Sequence, residues 1–346
     1  MSLYTYTIEQ SNEWDKVVKS FKLYDVYYLS GYVKAFVIHG DGDPLLFYYE
    51  NDSVRGINVV MKRDISDISC FSGKIEKNTL FDFATPYGYG GWLIEGDGDI
   101  TPLLLEYEKW CVEHNIVSEF VRYHPIINNA NDTKSFYDVL PLGKTISMDL
   151  SSPEIIWANL TSKNRNMIRK AQKAGIKIFR GNLPENYAVF KEIYDLTMLS
   201  DDARPYYFFN NEFYESIRND LSEKGQTFWA ELDGKIIASS IMISVNGYMN
   251  YHLSGSLRNY QHLAPTNLLL YEAALWGSKN GYKSFHLGGG VGSKEDGLYK
   301  FKCAFNRSET NQFAIGRKIY LKDVYDELSE LNNSGAEGTF FPKYRA

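Results

Sequence analysis

Apolar residues recur along this chain at two spacings, and the alternation between them predicts its elements. Runs of period two, which put every second side chain on one face, mark half-buried strands. Phe47-Tyr48-Tyr49-Glu50 leads through a polar turn into Ile57 to Met61, and Phe228-Trp229-Ala230-Glu231 leads through Asp233-Gly234 into Ile236 to Ile243. Both read as hairpins. Helical spacing appears after Ser152 and Pro153, which have the chemistry of an N-cap and a first helical residue. Ile156, Leu160, Met167, Ala171 and Ala174 follow at near-helical intervals until Gly175 stops the run, so a single helix is predicted there.

The pattern occurs twice. Glu106, Trp110, Asn115, Ser118 and Phe120 describe a helix followed by a strand, and Glu272, Trp276, Asn280, Ser284 and Phe285 repeat it, with Pro102 and Pro265 opening the two helices. Matched positions are 163 to 181 residues apart, so each unit is about half of the 346 residues. The order hairpin, strand, helix, strand implies α/β (α+β) domains, each a mixed, mostly antiparallel sheet flanked by helices. The expected division is 1–148 and 149–319. The tail 320–346 begins helical and acidic, continues through Asn332-Asn333-Ser334-Gly335, and is expected to pack on the first domain, because Phe340, Phe341 and Tyr344 are costly to expose together.

Composition narrows the class. Hydrophobic residues make up 44% and charged residues 23%, as in ordinary globular proteins. The 27 tyrosines are many, and their rings suit grooves that hold sugars or peptides as well as plain core positions. Cys70, Cys111 and Cys303 are far apart and lack metal-ligand spacing, so neither a disulfide framework nor a metal site is expected. The N-terminus has no basic-then-apolar leader pattern and no apolar run reaches the length of a membrane span, so a cytoplasmic protein with at most peripheral membrane contact is expected. A net charge of −6 argues against broad nucleic-acid binding.

Against that balance, Lys163, Arg165, Arg169, Lys170, Lys173, Lys177 and Arg180 form a run with no acidic residue, a local field suited to phosphate or carboxylate. Four of them, Lys163, Arg169, Lys170 and Lys173, are expected on faces that do not pack. Further candidates come from Asp82 to Trp92, DFATPYGYGGW, whose glycines admit close backbone approach while Tyr87 and Tyr89 form walls. Arg122 and His124 alternate on a strand end and are expected to share a face. The run from His286 to Phe305, HLGGGVGSKEDGLYKFKCAF, fails the phosphate-loop pattern because Glu295 follows Lys294. It leaves a flexible loop that delivers Lys300, Phe301 and Lys302 beside a strand end, where a lysine neutralises a phosphate or stabilises an oxyanion. No nucleophile triad or carboxylate pair stands out, which favours a mechanism without a protein nucleophile.

With these blocks in hand the chain resembles the FemABX family of nonribosomal peptidyltransferases, which add amino acids to peptidoglycan precursors, and the GNAT acyltransferase fold beneath it. The carriers are TPYGYGG at Thr85 to Gly91, VRYHP at Val121 to Pro125, NRNMIRKAQKAGI at Asn164 to Ile176, YHLSGS at Tyr251 to Ser256, and HLGGG with LYKFKCAF near the end. They occur in order over nearly the whole chain.

The resemblance implies two tandem GNAT-like domains. The first, with the interdomain cleft, would hold a phosphate-bearing glycopeptide precursor, UDP-linked or lipid-linked, and the second would bring the acyl group. It places Lys34, Arg204 and Tyr207 at binding positions, with Tyr87, Arg122, His124, Arg169, Tyr251 and Lys300 as further contacts. Phe301-Lys302 matches the family's Phe-Lys pair, Lys302 being the strongest catalytic candidate and Asp82 a weaker one for moving a proton. No cofactor would be tightly bound, the donor being aminoacyl-tRNA, held by its acceptor end, or acyl-CoA. Two departures bear on that donor. No heptad insertion for a coiled-coil arm is visible, and the coenzyme A loop R-x-x-G-x-[GA] is replaced by RNYQHLAPTN at Arg258 to Asn267.

Overall fold

The computed structural model describes residues 2–307, 310–332 and 340–346. These divide into two compact units, residues 1–142 with 313–346, and residues 143–312. Asn333, Ser334 and Gly335 lie outside the described residues.

The first unit opens with β1 (Ser2–Tyr6), α1 (Ser11–Ser20) and α2 (Ser30–His39). The hairpin β2 (Asp43–Glu50) and β3 (Val54–Asp64) follows, then β4 (Phe81–Ala84), β5 (Leu93–Gly96), α3 (Thr101–Glu113) and β6 (Ile116–Arg122). β7 (Asp138–Asp149) leads into the second unit. There α4 (Pro153–Asn159), α5 (Ser162–Lys173), β8 (Lys177–Gly181), α6 (Pro184–Ser200) and α7 (Asn211–Leu221) precede the hairpin β9 (Gly225–Leu232) and β10 (Lys235–Val245). β11 (Tyr248–Ser256), α8 (Pro265–Lys279), β12 (Ser284–Gly288) and α9 (Gly297–Cys303) complete that unit. The chain returns to the first unit through β13 (Asn311–Ile319) and α10 (Lys322–Leu331).

One topology serves both units. β1, β2, β3 and β4 pair antiparallel in turn, β4 pairs parallel with β6, and β6 pairs antiparallel with β13. In the second unit β8, β9, β10 and β11 pair antiparallel, β11 pairs parallel with β12, and β12 pairs antiparallel with β7. The closing strands are exchanged along the chain: β7 follows β6 but pairs with β12, and β13 follows β12 but pairs with β6. This exchange corrects the expected boundaries. Residues 143–148 belong with the second unit and residues 313–319 with the first, because sheet hydrogen bonds rather than chain order decide membership.

Each sheet buries one core. In the first unit Phe47, Phe83, Trp92, Tyr107 and Val121 pack together, and a smaller cluster seats Tyr325, Leu328 and Tyr344 against Ile65, Phe71 and Val117. Phe341 packs there too, while Phe340 is half exposed. The buried Glu119 accepts hydrogen bonds from the hydroxyls of Tyr107 at 3.1 Å, Tyr137 at 2.9 Å and Tyr320 at 2.5 Å. Desolvation pushes its pKa up, and these bonds oppose the rise. In the second unit Ile146, Met148, Ile156, Leu160, Ile168, Phe228, Leu269, Phe285 and Phe305 form the core.

The helix predicted from Pro153 is interrupted. Ser152 caps it as expected, accepting from Ile155 N at 3.3 Å, but Leu160 turns extended and Thr161 N donates to the carbonyl of Ala304 at 3.0 Å. Thr161 then caps a new helix through Asn164 N at 3.2 Å. Arg165 Nη1 satisfies carbonyls left at the break, reaching Leu160 O at 2.7 Å and Trp157 O at 3.3 Å. The break shifts the helical register, so Ile168 rather than Met167 is buried. Among the described residues no helix is long and apolar enough to cross a membrane.

Candidate functional site

The second unit contains a fork. β11 and β12 pair only from Tyr248 with Ser284 to Asn250 with His286, and then part. On one arm the next residue is Tyr251, whose hydroxyl, desolvated and with a raised pKa, is hydrogen-bonded to Ser254 and Ser240. Those two serine hydroxyls are 2.8 Å apart. His252 lies at an irregularity in the pairing of β10 with β11, and desolvation lowers its imidazole pKa to about 3, which keeps it neutral.

The other arm ends in the glycine run. Gly288 has φ +79, and a Cβ there would lie 3.2 Å from Lys302 Nζ. At Gly290 a Cβ would sit 2.0 Å from the Lys294 carbonyl oxygen, too close for any side chain. The run thus brings bare backbone against α9. Lys302, 8% exposed, donates from Nζ to Gly289 O at 2.7 Å. Desolvation lowers its pKa to about 8, opposed by the nearby Asp296 carboxylate. At neutral pH the group is still an ammonium, by about ten to one. An ammonium carries three N–H donors, so donors beyond the one on Gly289 are left for a developing negative charge.

The remaining candidates divide by unit. On α9 Lys300 is exposed, and Phe301 packs against the core with its ring 5.4 Å from that of Phe305, so Phe301 supports the helix that carries Lys302. Arg169 is exposed on α5 with its guanidinium 5.1 Å from the Trp157 ring. Lys163, Lys170, Lys173 and Lys177 are exposed too. Arg165 is half-buried and satisfies the carbonyls at the helix break, whereas Arg180 is exposed but donates to Gln226 at 2.7 Å and lies over the Trp276 ring. Arg204 is exposed and Tyr207 half-buried in the loop after α6.

In the first unit an aromatic cluster gathers Tyr87, Arg122 and His124. Tyr87 stacks on Phe36 of α2 at 5.3 Å, and the Tyr89 ring is 5.7 Å from His124 and 6.0 Å from the Arg122 guanidinium. Lys34 is exposed on α2. Arg122 and His124 therefore flank one ring, but their exposures differ. Arg122 is exposed and donates to Gly88 O at 2.9 Å. His124 is buried, its Nδ1 accepting from Ile127 N at 3.1 Å, which leaves Nε2 to donate to Asp25 at 2.9 Å. With both nitrogens engaged inside the fold, His124 braces the cluster and does not meet a ligand as expected.

Asp82 also departs from its expected role. Fully buried, it accepts from Arg63 at 2.7 Å, Arg345 at 2.5 Å and the Tyr344 hydroxyl at 3.1 Å. Two guanidinium groups and a phenol occupy both oxygens, so the carboxylate ties the C-terminal residues to β3 and β4 rather than moving a proton.

Sequence reasoning missed two groups near Lys302. Asp296 joins the glycine loop to α9, and Thr145 on β7 lies beside Gly289 with its buried hydroxyl lacking a partner among the described residues. Asp296 carried a legible cap signature, preceding a helical Leu-Tyr-Lys-Phe-Lys; Thr145 carried none, since strand exchange puts it there. Among the described residues no three His, Cys, Asp or Glu side chains converge as a metal site, and the three cysteines are free thiols.

Comparison with known proteins agrees with this architecture. Residues 160–302 match the family model of the acetyltransferase (GNAT) domain. The crystal structure of FemX superposes with a TM-score of 0.69 over 94% of this chain and 99% of that one, at 12% identity. L-PGS from Bacillus licheniformis gives 0.56, covering 88% of this chain and 90% of that chain at 13% identity. The C-terminal domain of a putative lysylphosphatidylglycerol synthetase from Agrobacterium fabrum also gives 0.56, covering 96% and 98% at 13% identity. No curated protein matches the chain. Two copies of one sheet topology, the second matched by the GNAT model, give this chain a tandem GNAT fold that it shares over nearly its full length with FemX.

Proposed function

We propose that this protein is an aminoacyl transferase that joins an activated amino acid, carried as an aminoacyl-tRNA ester, to an amine of a phosphate-bearing peptidoglycan precursor. The observation that carries the reading is Lys302, a desolvated ammonium held on the glycine run at the fork of a GNAT sheet. FemX-like fold over the full chain supports it. A neutral substrate amine attacks the ester carbonyl, and the carbonyl oxygen gains negative charge as the tetrahedral centre forms. Lys302 donates to that oxygen, and the low-dielectric setting strengthens the bond. Collapse breaks the acyl C–O bond and expels the ribose oxygen, which takes the proton released by the attacking amine and leaves as a hydroxyl, so no protein nucleophile is needed. Alignment of amine and ester supplies much of the remaining acceleration. The exposed Arg169, Lys170 and Lys173 of the second unit offer charge for the substrate's phosphates.

The GNAT match favours one alternative, N-acylation of a small amine or amino sugar by an acyl-CoA or acyl carrier protein. Incubation with charged tRNA pools, CoA thioesters and UDP-linked muropeptides, followed by mass spectrometry, separates the two. A muropeptide gaining one amino-acid residue only with charged tRNA, and not after ribonuclease treatment, is the expected result. Release of a free thiol during turnover, with ribonuclease without effect, would establish the thioester donor.

A further inference from the structure

We propose that Asp296 is the positioning residue for Lys302, clamping the glycine loop to α9 with its two carboxylate oxygens and so setting the lysine on the Gly289 carbonyl. Oδ1 accepts from Tyr299 N at 2.8 Å, as an N-cap does. Oδ2 accepts from Val291 N at 3.0 Å, and that donor lies outside the helix, one residue past Gly290. Capping requires only the first bond. The second joins the loop that presents the Gly289 carbonyl to the helix that presents the ammonium.

Steric and directional facts point the same way. A Cβ on Gly290 would lie 2.5 Å from Asp296 Oδ1, so the carboxylate's place against the loop depends on a bare glycine. Helical side chains lean toward the N-terminus, so Lys302, late in α9, runs back toward the loop that Asp296 holds. Its Nζ bond to Gly289 O, at 2.7 Å, completes the closure from loop to carboxylate to helix to ammonium and back to the loop. Charge reinforces the geometry: the Asp296 carboxylate favours the protonated lysine against desolvation, and the ammonium in turn helps hold Asp296 ionised, after the bonds from Tyr299 and Val291. The other charged side chains on these segments, Lys144, Lys294, Glu295 and Lys300, are exposed, and His286 is buried on β12.

This inference rests on the reading that Lys302 acts in transfer, and its test separates the two. In full-length protein with isotope-labelled lysine, the Lys302 resonance, identified by its loss in Lys302→Met, is titrated without donor or acceptor. Asp296→Ser keeps a good N-cap while removing the charge and the second oxygen. Asp296→Asn serves the same purpose should the serine variant fail to fold. The expected result is near-parent thermal stability, a Lys302 midpoint below the parent's, and kcat for transfer lowered at least about tenfold with KM unchanged. A variant whose Lys302 titrates and transfers as in the parent reduces Asp296 to a helix cap and overturns the proposal. If Lys302→Met transfers normally, the functional reading falls, and the titration alone still decides what Asp296 does to the lysine.

Discussion

Lys302→Met should make the protein more stable and less active at the same time. The substitution keeps a long unbranched side chain and removes a buried cation. Desolvation lowers the lysine's pKa from 10.5 to about 8, so holding its proton in the folded protein costs about 3 kcal/mol at pH 7. Methionine removes that cost but leaves the Gly289 carbonyl without its donor, a loss of about 1 to 2 kcal/mol. The net expectation is a gain of about 1 to 2 kcal/mol at pH 7. Its pH dependence has a definite sign. Below about 8 the folded and unfolded chains both carry the proton, and the parent bears the full penalty. Between about 8 and 10.5 the unfolded chain binds a proton that the folded one has released, so the parent gains stability as pH rises and the variant's advantage disappears. Urea unfolding of both proteins at pH 7 and pH 10 reads the difference, and single-turnover transfer at pH 7 reads function, where loss of one oxyanion donor lowers the rate about 100- to 1,000-fold. A variant less stable than the parent at pH 7, or with an undiminished advantage at pH 10, would refute the picture of a desolvated ammonium kept for chemistry.

Other consequences follow from the same geometry. Transfer by the parent should slow as pH rises through about 8, because the oxyanion donor is the protonated lysine; a rate that climbs through that range assigns Lys302 the role of base. Asp82→Asn should cost about 3 kcal/mol by leaving Arg63 and Arg345 without their shared counter-charge, and should open the C-terminal residues to limited proteolysis, while the folded fraction keeps its turnover. Glutamate at both Arg169 and Lys173 should weaken a phosphate-bearing ligand about tenfold at low salt, the difference shrinking as salt is added; affinity indifferent to both changes would leave the α5 face merely solvated.

Local pattern carried much of the fold. The two hairpins, the caps at Ser152 and Gly175, and the prolines opening α3 and α8 are near-neighbour signals, and each appears where its spacing places it. The repetition of hairpin, strand, helix and strand was legible for the same reason, since each copy is written continuously along the chain. Where a partner more than a hundred residues away intervenes, pattern fails. The Ala304 carbonyl draws Thr161 out of a helix that its own neighbours would continue, and β7 and β13 exchange places because their edges are completed by β12 and β6. The site shows the same division.

By itself the sequence determined which residues occur at the glycine run, that Lys300, Phe301 and Lys302 follow it, though in an expected flexible loop where the structure has the helix α9, and that basic residues crowd one helix. Only the tertiary structure decided that Lys302 is buried while Lys300 is exposed, that Asp82 serves the C-terminal residues, and that His124 faces Asp25. Chemical identity is a property of each position. Burial, protonation and pairing are properties of the surroundings, and long-range packing creates those surroundings.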